Sequence, residues 1–401
     1  MNRPVFDISD PQLALAAWSR IAEPADPDAS VLVRQVGAVA ALEWLVGEVG
    51  SAAAQRALAQ RAAGRRPAAG TEAALARWLP RLEGLDPRRE LRVLARLGGV
   101  LMHPGSPGWP AGLEDLNEVA PFALWVLAPD GVPATLGRRL AGAVAVVGAR
   151  AATAYGESVT AAIAGPLAQA GHAIVSGGAY GIDAAAHRAA LAVGGFTVAV
   201  MAGGLDRLYP PGNEALLRAV AAEGAVVSEV PPGSAPRRER FLDRNRLIAA
   251  LAQVTVVTES GWRSGSHRTA AVAAELLRPV GAVPGPVTAA SSAGCHRLIR
   301  EGAATLVSDA RDVMELARPA GQAPAALPGL DETSGVLDGL GVVERRVLDA
   351  LPMRRPASVA AVTTACGLAP AQVLAALTRL ERAGRAASSN GAWRRLSTSQ
   401  S

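Results

Sequence analysis

The sequence predicts an α/β protein: a doubly wound, Rossmann-like parallel sheet, with a helical amino-terminal domain before it and a carboxy-terminal winged-helix domain after it. Three observations carry that expectation. Short, almost continuously apolar runs recur from Ala143 onward, and helix-length segments separate them. Strands that are apolar on both faces and alternate with helices belong to a parallel sheet covered on both sides. The last sixty or so residues instead read as three helices closing on a hairpin, a winged helix-turn-helix pattern.

Residues 1–95 are rich in alanine and arginine, with helical spacing at Leu13, Ala16, Ala17 and Ile21 and again at Leu75, Trp78, Leu79 and Leu82. Breaks fall at 23–27 and 64–70, so this stretch reads as a small helical domain of the SAM or helix-hairpin kind. A Pro/Gly-rich stretch from Pro104 to Pro133 then carries a first strand, Phe122 to Leu127. The apolar runs of the main domain, 96–317, are 143–148, 172–177, 196–201, 225–230, 254–259, 280–285 and 304–308. Helices are expected at 154–170, 183–193, 214–222, 243–252, 266–277 and 296–301. Residues 318–337, with Pro319, Gly321, Pro324, Pro328, Gly329 and Gly335, read as a linker. The domain at 338–401 holds helices at 342–351, 358–366 and 370–383, then strands at 385–388 and 392–396 turned at Asn390-Gly391.

A chain 50% hydrophobic and 19% charged is not mainly disordered, and two distant cysteines exclude a disulfide scaffold. The segment MNRPVFDISD lacks a basic-then-apolar signal, and Gly165-Pro166 and Gly171 interrupt the uncharged stretch 158–182, so a cytoplasmic protein without membrane association is expected. Forty basic residues against thirty-five acidic ones give +5, and every basic residue is arginine. A charge that small over 401 residues fits arginine-rich coding as well as a polyanion ligand, so position has to decide.

Ligands of a doubly wound sheet bind beyond the carboxyl ends of its strands. The segments there are Gly148-Ala149-Arg150, Ser176 to Asp183, Gly203 to Asn213, Pro231 to Arg246, and Glu259 to Arg268. Residues 237–246 hold five arginines against Glu239 and Asp243, and all three tyrosines (155, 180, 209) fall in these loops with Phe241 and Trp262. Gly/Ser-rich loops at helix starts offer backbone N–H groups to phosphate. Arginine beside exposed aromatics is the chemistry of single-strand binding. Enzymatic signals are thin. Gly148 opens no GxGxxG, a chain without lysine cannot build a Walker loop, and no cluster has metal-ligand spacing, so no cofactor is expected. Asp183 and His187 lie one helical turn apart, which a salt link or a helix-start acid explains more simply than catalysis does. Cys295 reads as packing.

The rim motifs, in order, resemble the DNA-processing protein A family (DprA, also called Smf). They are Val147-Gly148-Ala149-Arg150; Ser176-Gly177 through Gly181-Ile182-Asp183 to His187; Gly204-Leu205-Asp206 to Tyr209-Pro210 with Asn213; Ser228-Glu229; Arg244-Asn245-Arg246-Leu247-Ile248-Ala249; Arg263-Ser264-Gly265-Ser266 with Thr269-Ala270; Pro284-Gly285; and Gly294-Cys295-His296 to Gly302-Ala303. The resemblance spans about residues 100–317. It implies a recombination mediator rather than an enzyme: a homodimer that binds single-stranded DNA, protects it, and loads the RecA recombinase during natural transformation. Its DNA pocket would comprise Arg150, Ser176, Gly177, Gly178, Tyr180, Gly181, Arg244, Asn245, Arg246, Arg263, Ser264, Gly265 and Ser266, with Gly177 and Gly265 admitting phosphate to the backbone. Leu298 and Ile299 would lie in the dimer contact. Three positions depart from the family pattern: Tyr180 stands where many relatives carry a basic residue, and His267-Arg268 replace an apolar pair. The alternative reading is a nucleotide-processing phosphoribohydrolase-like enzyme on a related sheet, although Arg263-Ser264-Gly265-Ser266 stands where those enzymes carry Pro-Gly-Gly-x-Gly-Thr. A third is a duplex-DNA regulator acting through Arg379, Arg382, Arg385, Arg394 and Arg395 of the winged helix.

Overall fold

The computed structural model describes residues 4–47, 71–318, 341–353, 356–389 and 391–396; the expected break at 64–70, nearly all of the linker, and Asn390 lie outside them. The chain divides into two units, Met1–Pro324 and Ala325–Ser401.

The first unit opens with helices Pro11–Ile21, Pro27–Val36, Ala38–Val46, Thr71–Trp78 and Arg88–Arg96. Asp10 and Asp26 cap the first two, each followed by proline at the first helical position. Their shared core is built on Trp18 and Trp78, edge to face with centroids 5.2 Å apart.

The sheet of this unit runs β1 (Gly99–Met102), β2 (Leu124–Leu127), β3 (Val144–Val147), β4 (Ile174–Ser176), β5 (Thr197–Met201), β6 (Ala225–Ser228), β7 (Val254–Val257), β8 (Val280–Ala282) and β9 (Thr305–Leu306) along the chain. In space the order is β1-β2-β6-β5-β4-β3-β7-β8-β9; β2 pairs antiparallel with both β1 and β6, and every other pair is parallel. The seven expected runs all became strands. Val144–Val147 and Val254–Val257 are buried along their whole length, which is why they read as unbroken apolar stretches. Val144 pairs with Val254 and Val147 with Val257, although 110 residues separate them in sequence. From β3 the chain winds outward through β4, β5 and β6, then returns to lay β7 on the other flank of β3. That reversal opens a crevice beyond the ends of β3 and β7.

The helix Arg238–Leu251 covers this crevice and begins five residues earlier than the sequence pattern indicates. Its last turn is held by Arg278, whose Nη1 donates to the Ala249, Ala250 and Ala252 carbonyls while Nη2 reaches Gly112 O and Asp115. A guanidinium there satisfies carbonyls the helix itself leaves open. Its first turn is held from the amino-terminal helices: Glu23 accepts from Arg240 Nε at 2.8 Å and from Arg81 Nη2 at 2.8 Å. Burial would raise the Glu23 carboxyl, but the two guanidinium groups outweigh it and hold it below the ordinary value.

The second unit contains helices Val342–Ala350, Val359–Cys366 and Pro370–Arg382 and a three-stranded sheet of β10 (Ala357–Ser358), β11 (Ala386–Ser389) and β12 (Ala392–Arg395), ordered β10-β12-β11. This is a winged helix around Val347, Leu348, Val362, Val373, Leu377 and Leu380. Pro370–Arg382 leaves Ala371, Leu374, Ala375, Thr378 and Arg382 exposed, while Arg379 pairs with Glu344 and Arg395 lies 3.5 Å from Asp349.

Candidate nucleic-acid interface

Loop Gly148–Arg150, after β3, is clamped from both sides. Ala149 N donates to Glu259 O at 2.7 Å, and Ile182 N donates to Ala149 O at 3.1 Å. A β-carbon on Gly148 would sit 2.6 Å from both Glu259 O and the Ile182 side chain, so only glycine lets these segments close. The Glu259 carboxylate, 2% exposed, accepts from Thr153 N and Oγ1 at 2.8 Å each and pins the start of helix Ala154–Gln169.

Phe241, Arg244, Asn245 and Ile248 follow the i, i+3, i+4, i+7 spacing of one helix face and point into the crevice. With Arg150, Asp183, Arg263, Ser264, Gly265 and Ser266 they line a cleft of about 500 Å³ at the switch point between β3 and β7. Phe241 lines it, with the Arg150 guanidinium 4.9 Å and that of Arg244 5.9 Å from the ring centroid, and the Tyr209 ring centroid 5.9 Å away. Asn245 ties the helix to the facing loop by donating from Nδ2 to Gly265 O at 3.3 Å. The loop hydroxyls form a chain, Ser264 Oγ to Ser266 Oγ at 2.9 Å and Ser266 Oγ to Ser260 Oγ at 3.1 Å.

Arg244 is only 6% exposed. Its Nη1 donates to Gly177 O at 2.7 Å and Val200 O at 2.5 Å, while Nε has no acceptor among the described residues. Burial, with a smaller push from Arg150, lowers its pKa to about 10 against the opposing pull of Asp183. It therefore remains a cation at pH 7. Burial in turn raises the Asp183 carboxyl, opposed chiefly by Arg244. Arg150 and Arg263 are exposed, and Arg263 makes no ion pair or hydrogen bond among the described residues. The cleft thus offers one buried, fixed cation in Arg244, an exposed cation over the Phe241 ring in Arg150, and an exposed one at its wall in Arg263.

The matching family model describes a DNA recombination-mediator protein A and covers residues 100–318; a DprA winged-helix model covers 318–392. A DNA-processing protein DprA of Mycobacterium tuberculosis is 44% identical over 394 residues, 96% of this chain and 94% of the relative. The chain belongs to the DprA/Smf family. The DprA of Streptococcus pneumoniae is 45% identical over 172 residues, 43% of this chain and 60% of that protein. Its crystal structure superposes with a TM-score of 0.57 at 30% identity, over 75% of this chain and 95% of that one.

Within this DprA chain the structure sorts the residues that the motifs single out. Arg150, Arg244, Asn245, Arg263, Ser264, Gly265 and Ser266 meet in the cleft. Arg246 does not: it turns to the opposite side of the helix, pairs bidentately with Glu229 at 2.7 Å and donates from Nε to Val119 O at 3.0 Å. Ser176 is fully buried and donates to Val146 O. A β-carbon on Gly177 would overlap the Arg244 guanidinium. Gly178 and Gly181 take positive φ of 69° and 73° that shape the turn, and the Gly178 carbonyl accepts from Asn213 Nδ2. Tyr180 stands outside the cleft, 48% exposed, its hydroxyl accepting from Gly212 N at 3.2 Å. Leu298 packs into the chain's own core, 6% exposed, and Ile299 lies half-buried against it.

Asp183 and His187 form no acid–base pair. His187 is fully buried, bonds Thr197 Oγ1 at 2.8 Å through Nδ1, and is driven by burial to a pKa of about 3. Cys295 is fully buried and pushed by burial to about 12, an inert packing thiol. Phe241, read as a rim aromatic but absent from the motif-derived pocket, lines the cleft, nearly one helical turn before Arg244. Among the described residues no single helix is long and apolar enough to cross a membrane.

Proposed function

We propose that the switch-point cleft binds single-stranded DNA, and that this DprA protein acts as a recombination mediator on that strand. The observation that carries the reading is the Phe241 ring with the Arg150 and Arg244 guanidinium groups over it, in a cleft that Arg263 also lines. A duplex keeps its base faces stacked on each other, whereas a single strand offers them to an aromatic side chain while its phosphates meet arginine. Loading of RecA onto incoming DNA in natural transformation, dimerisation and a cytoplasmic site of action follow from the family resemblance and extend this reading. Fluorescence anisotropy with labelled oligo-dT and a matched duplex across a salt series tests it. The expected result is single-strand preference, with affinity falling linearly in log salt. Arg263→Ala should lower affinity and flatten the slope by about 0.7 for each phosphate no longer neutralised. Equal affinity for both DNAs, or an Arg263→Ala titration that overlays the wild type, would refute it.

Gly265 offers a sharper probe. Its φ of −64° is ordinary, and a β-carbon there meets nothing within 4 Å. Gly265→Ala should therefore leave the thermal midpoint unchanged or slightly raised. If phosphate lies against this backbone, the same variant should bind oligo-dT at least fivefold more weakly. Wild-type affinity would move the strand off this loop.

A further inference from the structure

Trp262 is the one exposed tryptophan of the seven, 52% accessible, and it stands between two cleft-lining residues, Gly261 and Arg263, without lining the cleft itself. Its ring is carried to the outer flank of the same loop, where it is held from beneath. The Arg297 guanidinium lies 5.0 Å from the indole centroid. Arg297 Nη2 donates to His267 Nδ1 at 2.7 Å, so the His267 proton sits on Nε2, which donates to Ser260 Oγ at 2.8 Å. Ser260 then joins the Ser266–Ser264 hydroxyl chain of the cleft wall. Burial, reinforced by Arg297 and opposed by Glu301, lowers the His267 pKa and keeps Nδ1 free to accept. An apolar residue at 267, the family pattern, could not hold Arg297 this way.

A large aromatic surface left open to water, with its underside fixed by a cation and that cation fixed in turn by a histidine, is a prepared stacking platform. We propose that Trp262, seated on Arg297 and His267, is a second nucleobase-binding subsite that receives the base next along the strand from the switch-point cleft. The proposal rests on the single-strand reading of the cleft. His267 is a positioning residue in it, acting through Arg297.

Oligo-dT of 4 and of 20 nucleotides is titrated against the full-length chain, read by anisotropy and by tryptophan emission. The 20-mer should quench emission in the wild type, and Trp262→Phe should lose that quench while keeping affinity within about twofold. Trp262→Ala should weaken the 20-mer about tenfold and leave the tetramer unchanged. His267→Ala should behave as Trp262→Ala does, and His267→Gln, which still offers Arg297 an acceptor, should restore most of the affinity. The proposal is overturned if Trp262→Ala binds the 20-mer like wild type, or if it weakens both lengths equally. The cleft reading fails separately: Arg263→Ala then has no effect either, whereas a weakened Arg263→Ala beside a normal Trp262→Ala removes only the second subsite.

Discussion

Arg244→Ala is expected to cost the α/β unit about 3–5 kcal/mol and to abolish tight oligo-dT binding in whatever remains folded. The guanidinium is 6% exposed, satisfies the Gly177 and Val200 carbonyls, and supplies the charge that opposes burial of Asp183. Its removal strands all three groups. The cost should depend on pH. Without Arg244 the Asp183 carboxyl is raised further above its unfolded value, so the variant folds best with Asp183 protonated and loses stability as pH rises through that raised pKa. Urea unfolding at pH 5.5 and pH 8 should show the larger deficit at pH 8. An Arg244→Ala midpoint equal to wild type at both pH values would contradict the buried-cation account.

The second large effect is Arg246→Ala, two residues along, and it separates stability from binding. The Arg246 and Glu229 side chains are 7% and 12% exposed and meet in a two-point contact at 2.7 Å. Removing one partner leaves a buried carboxylate, again about 3–5 kcal/mol. Replacing both, as Arg246→Met with Glu229→Met, should recover part of that loss, because no charge remains buried. Oligo-dT affinity and its salt slope should match wild type in Arg246→Ala below its unfolding temperature. A flattened salt slope would return Arg246 to the DNA contact that its motif suggests.

These two arginines show where sequence reasoning reaches its limit. The Arg244-Asn245-Arg246 motif reads as one basic cluster along the chain. On the helix residues two apart stand roughly 200° around the axis, and packing sends Arg244 to the cleft and Arg246 to Glu229. The packing of Gly177 escapes local patterns for a related reason. Its neighbour in space is Arg244, 67 residues away, and no local pattern reports that. Short elements were missed as well: β1 and β10 are four and two residues long and partly exposed, and helix Ala310–Leu316 spans two turns, too little for a periodic signal.

What the sequence determined by itself was the set of building blocks. The apolar runs from Ala143 onward mark the parallel strands, the Gly- and Ser-rich turns after them mark the rim loops, and the order of rim motifs marks the family. Tertiary structure alone decided which rim loops meet. β7 docks beside β3 across 110 residues of chain, and that reversal turns Arg150, Phe241, Arg244 and Arg263 into one cleft while Tyr180, Arg246 and Leu298 fall elsewhere. The reason is physical: strand order and helix phase are set by how long-range apolar faces pack, and neither is encoded in the spacing of any single motif.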